Sequence, residues 1–181
     1  MPLLMILTHN DEEKTGNYRY KFEGNLDTLT VKDIERFIND WEADAIPQML
    51  KSQKPPATQD TTAFALVGTT HDEFAYSAND VFVEYYADWC PHCKELAPHW
   101  EKLAEHCKDV PGLKIAKMLA TDNESAYIHP SGYPTIAFYS HDLPFGNPPK
   151  LIYDRDFDGI LSKIKENSTV YQKVKGNSVE L

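Results

Sequence analysis

Apolar and polar positions follow two rhythms along this 181-residue chain, and the changes of rhythm mark its elements. Leu3 to Leu7 is a short apolar run, and Tyr18 to Phe22 alternates with the two-residue period of a strand. From Leu29 to Trp41 the period lengthens. Val31, Ile34, Phe37, Ile38 and Trp41 form one helical stripe, and Thr30 with Asp33 three residues on is a helix-start signature. Two strands and a helix over about 50 residues fall below the size at which a core usually suffices, so this stretch reads as the end of something larger. Lys51 to Thr62, KSQKPPATQDTT, is polar, holds Pro55-Pro56 and reads as a linker. Past it, strands are predicted at Phe64–Val67, Asp80–Tyr86, Leu113–Leu119, Thr135–Tyr139 and Leu151–Tyr153. Helices are predicted from about Cys90 to Lys108, at Glu124–Ile128 and at Phe157–Lys165. Strands alternating with helices predict an α/β domain with a mixed sheet.

Composition changes this picture little. The chain is 41% hydrophobic and 25% charged, ordinary for a folded soluble protein. Its formal net charge of −10 gives no electrostatic footprint for nucleic acid or anionic lipid. No apolar run approaches the ~20 residues that span a bilayer, so no membrane partner is expected. The start, MPLLMILTHN, lacks the basic region and cleavage site of a signal peptide. Three cysteines, Cys90, Cys93 and Cys107, are too few for a disulfide scaffold.

The chemistry concentrates in YYADWCPHCK, Tyr85 to Lys94. Cys90 follows a predicted strand and opens a predicted helix whose first turn holds Pro91. Unpaired backbone N–H groups and the positive end of the helix dipole favour a thiolate there, and the thiolate is the nucleophile. Cys93, one turn on, is placed to resolve a mixed disulfide, and His92 is a possible cationic neighbour. Two alternatives stay open. A zinc site usually needs four ligands, but His92, His99, His106 and Cys107 ride one helix and point in different directions. A structural bridge enclosing two residues restrains little of the unfolded chain. Cys107 shares a helical face with Leu96, Trp100, Leu103 and Ala104 and reads as a core residue.

VFVEYYADWCPHCKELAPHW resembles the active-site stretch of the protein disulfide isomerase family, and the likeness runs on through IAKML and Gly132-Tyr133-Pro134-Thr135 to the closing helix. PLLMIL, the hairpin, TVKDIERFINDW and the KPP linker resemble the end of the redox-inactive, substrate-binding domain of that family. The resemblance implies a thioredoxin-like fold, a mixed central sheet flanked by helices, preceded by a partial second thioredoxin-like domain. It assigns residues 1–50 to the redox-inactive domain, 51–61 to a linker, 62–168 to the catalytic domain and 169–181 to a tail. The chain is then expected to be the C-terminal part of such an isomerase.

Roles carried over with the resemblance follow residue by residue. Cys90 attacks and Cys93 resolves, with His92 between them. Glu84, a carboxylate in an apolar strand, relays a proton to or from Cys93, with Lys117 as its charge partner and Arg155 swinging in to lower the Cys93 pKa. Tyr133-Pro134 is a cis-proline turn facing the disulfide, and Trp89, Tyr133 and Pro134 meet the substrate. Three positions depart from the family. Tyr153-Asp154-Arg155 lacks the glycine that usually precedes the arginine, so Asp154 and Asp156 are competing partners for it. Asp88 stands where proline is common, and an acid there disfavours a thiolate. Pro91 replaces the usual glycine, giving the Pro-His dipeptide of the strongly oxidising bacterial periplasmic enzyme. Potentials run from about −270 mV for thioredoxin through about −180 mV for the isomerase to about −120 mV for that oxidant, so a value at or above the isomerase's is expected.

The implied activity is protein thiol–disulfide oxidoreductase and isomerase, needing no cofactor beyond the Cys90–Cys93 pair. Its partners would be unfolded or partly folded polypeptides with cysteines, and glutathione or an oxidase as redox partner. The alternative is a chaperone, or a stabilising subunit of a larger enzyme, with dispensable thiols. Disulfide donation and the resemblance imply the endoplasmic reticulum lumen. The final Glu180-Leu181 matches the end of a KDEL-type signal, but the two residues before it do not. Sequons at Asn123 and Asn167 match too easily to carry weight.

Overall fold

The computed structural model describes residues 3–9 and 17–176, so the Glu180-Leu181 terminus lies outside the described residues. The chain divides into two compact units, Met1–Leu50 and Lys51–Leu181. In the first, β1 (Met5–His9) pairs antiparallel with β2 (Asn17–Lys21), and a 3-10 turn leads to α1 (Val31–Glu42). Thr30 caps α1 reciprocally: its Oγ1 accepts the Asp33 N–H at 3.3 Å while Asp33 accepts the Thr30 N–H at 3.0 Å. The predicted stripe divides. Phe37 is buried edge-on to Phe22 and Trp41 meets Tyr20, whereas Val31 is 71% exposed.

The second unit runs β3 (Phe64–Leu66), α2 (Gly68–Ala75), β4 (Asp80–Tyr86), α3 (Pro91–Cys107), β5 (Leu113–Leu119), β6 (Thr135–Tyr139), β7 (Lys150–Ile152), α4 (Phe157–Asn167) and α5 (Thr169–Gly176). Its strands order as β3-β5-β4-β6-β7, with β3, β5 and β4 parallel and the β4–β6 and β6–β7 pairs antiparallel. The central strand β4 is buried on both faces, and period-2 alternation sorts its side chains. Phe82 joins Ile115, Ile136, Phe138, Trp100 and Ile160 on one face of the sheet. Val81, Val83 and Tyr85 join Ala116, Met118 and Tyr139 on the other. Trp100 is fully buried and donates from Nε1 to the Ala116 carbonyl at 3.0 Å, which locks α3 to β5. Cys107 is buried in the same cluster, as its helical spacing predicts.

Three segments differ from the sequence reading, and long-range polar contacts account for each. The predicted helix at 124–128 is extended loop. There the Glu124 N–H donates to the Lys51 carbonyl at 2.8 Å, the Ser125 hydroxyl donates to Asp72 at 2.7 Å, and that hydroxyl accepts the Tyr127 N–H. An unpredicted helix, α2, replaces it as the cover of the second face. Its start, Val67-Gly68-Thr69-Thr70, is poor in helix formers. It forms on tertiary contacts: His71, wholly buried, sits 2.5 Å from the Tyr85 hydroxyl through Nε2, and that hydroxyl lies 2.6 Å from Tyr139's. The third is α5, where a tail is predicted from residue 169. Ser168 donates to buried Asp80 at 2.6 Å and accepts the Tyr171 N–H, which folds α5 back so that Tyr171 joins the core.

The start of the predicted linker is also held. Asn123, 1% exposed, accepts from the Gln53 and Gly68 N–H groups and donates to Gln53 Oε1 and the Leu119 carbonyl, all within 3.1 Å. Gly68 is required beside it, since a Cβ there would stand 2.5 Å from the Lys51 carbonyl oxygen. Asn123→Ala leaves the buried Gly68 N–H unpaired and takes from the Leu119 carbonyl one of its two donors, the other being the Asp122 N–H. A loss of about 2–3 kcal/mol in urea unfolding is expected; a change within ~0.5 kcal/mol would contradict this account of the clamp.

Candidate active site

The strand β4 ends at Tyr86, the chain turns through Ala87-Asp88-Trp89, and α3 begins with Cys90 as its N-cap and Pro91 in its first turn. Two contacts fix the Cys90 sulfur. It accepts the Cys93 N–H at 3.3 Å, and its thiol faces the Tyr133 carbonyl at 3.4 Å. A backbone donor aimed at sulfur from the first turn of a helix supports negative charge there. Both sulfurs belong to residues under 5% exposed, packed with Ala87 and flanked by Tyr86 and Tyr133. The structure holds the pair as thiols.

Tyr133–Pro134 is a cis peptide, at the start of β6 and facing Cys90. Trp89 is 69% exposed and stands edge-on to Tyr133 with ring centres 5.9 Å apart, so the two rings form an aromatic rim beside the sulfurs. The Arg155 guanidinium donates to the Pro134 carbonyl at 3.1 Å and to the Ile152 and Asp154 carbonyls at 2.9 Å each. It therefore braces the cis-proline turn; the contacts it makes to Asp154 are to backbone, not carboxylate. His92 is turned outward, its side chain 79% exposed and its Nδ1 3.4 Å from Glu95.

Beneath the sulfurs lies the acid. The same alternation that separates Phe82 from Val83 places Glu84 on the face covered by α3, where it is 3% exposed. Its neighbour in parallel register on β5 is Lys117. Glu84, Cys93 and Lys117 line one cleft of about 210 Å³, with Tyr86 and Asp88 at its side, which is room for several waters. Burial pushes the Glu84 carboxyl up to about 7 against the attraction of Lys117, with the Glu101 charge adding to the rise and Arg155 opposing it. Burial, a hydrogen bond with Cys90 and the nearby Glu84 charge push the Cys93 thiol up to about 12. Cys93 is thus a neutral thiol at physiological pH beside a carboxyl that titrates there.

The sequence reading expects Lys117 to pair with Glu84. The structure gives its ammonium instead to Glu101 of α3, at 2.5 Å, while Lys117 still acts on Glu84 through its field. Glu101 is the residue sequence reasoning missed. Cys93, Ala97 and Glu101 fall at i, i+4 and i+8, so the helical period already places it under the resolving cysteine.

The thioredoxin family model matches residues 62–166, which contain all of these groups. The chain belongs to the thioredoxin family. Among the family's curated members it is 40% identical over 140 residues to the protein disulfide-isomerase of Gallus gallus, covering 76% of this chain and 26% of that protein. It is 39% identical to the protein disulfide-isomerase of Saccharomyces cerevisiae, with coverages of 77% and 27%. Protein disulfide isomerase-like 1-4 of Oryza sativa subsp. japonica aligns at 32% identity over 94% of this chain and 30% of its own length. The chain thus spans less than a third of each of these thioredoxin-family relatives.

The buried carboxyl has a signature in stability. In the unfolded chain Glu84 titrates near its ordinary 4.5, and in the folded protein near about 7, so the fold favours the protonated form. That contribution is full below the unfolded value and is lost as pH rises through the folded one. Glu84→Gln removes the loss. The variant is expected to be more stable than the parent by about 3 kcal/mol at about pH 8 and equally stable at about pH 4. Urea titrations at the two pH values check this; equal stability at both would place Glu84 in a wetter site.

Proposed function

We propose that this chain carries out thiol–disulfide exchange on cysteine-containing polypeptides, as an oxidoreductase and isomerase. The observation that carries the proposal is the vertical pairing of a helix-capping Cys90 with a neutral Cys93 above a carboxyl titrating at about 7. In the reducing direction the Cys90 thiolate attacks one sulfur of a substrate disulfide, forming a mixed disulfide and releasing the other substrate sulfur as a thiolate. Ionised Glu84 then takes the Cys93 proton. The Cys93 thiolate attacks the Cys90 sulfur, the Cys90–Cys93 disulfide forms, and the second substrate thiolate leaves. The substrate is oxidised when the same steps run backward from the disulfide, and Glu84 returns the proton to Cys93. Trp89 and Tyr133 offer the polypeptide an exposed aromatic edge, and Arg155 keeps the turn that faces it in place.

The isomerase-type relatives support this substrate class, and the rice alignment reaches into residues 1–50, which supports reading them as part of the preceding redox-inactive domain. Glutathione or an oxidase would recycle the pair. Disulfide donation has substrates where proteins are oxidised, and we place the chain in the endoplasmic reticulum lumen on that ground. No helix of the described residues is long and apolar enough to cross a membrane.

Cys90→Ser is expected to abolish both insulin reduction and reactivation of scrambled ribonuclease, and Cys93→Ser to accumulate mixed disulfides with substrate. Unchanged turnover in Cys90→Ser would end the enzyme reading in favour of a chaperone or subunit role. The inner dipeptide sets the poise separately. Equilibration with glutathione is expected to give a potential at or above about −180 mV, and Pro91→Gly to move it in the reducing direction by about 30 mV or more. A parent value near about −270 mV would refute the role assigned to Pro91.

A further inference from the structure

The two carboxylates that compete for one ammonium come from different layers, Glu84 from the sheet and Glu101 from the helix over it. Lys117 projects from β5 between Glu84 on the neighbouring strand β4 and Glu101 on the overlying α3. Its proton donors go to Glu101 Oε1 at 2.5 Å, and the second Glu101 oxygen accepts the Ala63 N–H at 3.2 Å. Glu101 is thus gripped from both ends, 34% exposed to Lys117's 22%, while Glu84 lies deeper. An ammonium bonded directly to Glu84 would hold that carboxyl ionised, and an acid that stays ionised cannot hand a proton back to Cys93.

We propose that Glu101 is a positioning residue, which holds the Lys117 ammonium on the α3 side of the cleft and so leaves Glu84 able both to take and to return the Cys93 proton. The inference rests on the exchange chemistry proposed above and extends it to a residue outside the cysteine motif. The groups facing Glu84 are Lys117 from β5, Glu101 and Cys93 from α3, Tyr86 from its own strand, and Arg155 from the segment before α4. Arg155 is already committed to three backbone carbonyls, so Lys117 is the cation free to change sides.

Glu101→Gln tests this with little risk to the fold, because the amide oxygen still accepts the Ala63 N–H and thermal unfolding reports whether it does. With its partner's charge gone, the ammonium turns to Glu84, and this adds to the loss of the direct Glu101 repulsion in favouring the ionised carboxyl. Two readouts follow. The first is the carbon-13 titration of the Glu84 carboxyl by NMR in the Cys90–Cys93 disulfide form, which needs no turnover. Its midpoint is expected to move down by about one pH unit, the low end of what an opposite charge within ~4–6 Å achieves. The second is stopped-flow resolution of the Cys90–glutathione mixed disulfide, whose acid limb is expected to move by the same amount. Measured against Lys117→Met alone, adding Glu101→Gln should move both by much less, because only the direct repulsion between the two carboxylates is then removed. A folded Glu101→Gln with an unmoved carboxyl midpoint, or with a shift of the same size in the Lys117→Met background, overturns the proposal. If the parent resolves no mixed disulfide at any pH, the exchange reading fails instead, and the carboxyl titration alone still decides where Glu101 holds Lys117.

Discussion

A carboxyl group at 3% exposure on the middle strand of a five-stranded sheet is the constraint to which the second unit answers. β4 has paired strands on both sides, so Glu84 has no edge to escape from and no freedom to face solvent. An isolated ionised carboxylate in such a place costs several kcal/mol, and proteins meet that cost by partner charges or by keeping the proton. Here both are present in part. Lys117 and Arg155 act at a distance, the cleft admits water, and burial still holds the group at about 7. Partial compensation is what makes the carboxyl chemically useful. A direct ion pair would hold it ionised, and a dry pocket would hold it protonated.

The sulfur pair gains its asymmetry from the same geometry. Cys90 and Cys93 are three residues apart and equally buried, yet their surroundings differ in kind. Cys90 caps a helix and receives a backbone donor. Cys93 sits one turn inside, over Glu84, and its thiol is pushed up to about 12. One residue is set to attack and the other to wait for a base. The difference arises from the strand-turn-helix path and not from the identity of either side chain.

Local pattern made much of this legible. The apolar run at Asp80–Tyr86 marks a strand buried on both faces, the acid within it stands out, and Cys-Pro-His-Cys after it marks a helix start. What escaped has one physical origin. Asn123, Asp80 and the His71–Tyr85–Tyr139 chain are buried polar hubs, and each joins segments more than ten residues apart. Asn123 draws Gln53 and Gly68 together, and just after it the bonds of Glu124 to Lys51 and of Ser125 to Asp72 replace those of the predicted short helix. Asp80 gathers His141 and Ser168 and so turns a predicted tail into α5. His71 anchors an α2 whose own sequence is a weak helix former. A side chain's long-range partner has no period, so no rhythm of apolar positions announces it. The exchange of Glu84 for Glu101 as the partner of Lys117 belongs to the same class: register placed Lys117 beside Glu84, and a residue 16 positions away claimed its ammonium.

The positions of these groups divide the site into a mouth and a floor. Pro91, His92, Trp89 and the Tyr133-Pro134 turn form the mouth, and His92 faces Glu95 and solvent. Glu84 and Lys117 form the floor, reached through the cleft, and Glu101 holds Lys117 from beside it. The relative stability of disulfide and dithiol is governed by what surrounds the attacking sulfur, whereas the speed of resolution is governed by how readily Cys93 loses and regains its proton. Because Pro91 and His92 sit in the first turn of α3 while Glu84 lies on β4, a change in the inner dipeptide can reset the redox poise without moving the proton acceptor. A substitution at Pro91 is then a change at the mouth alone. The floor beneath it keeps an acid in an apolar strand and a lysine in register, with a helix carboxylate that holds the lysine aside.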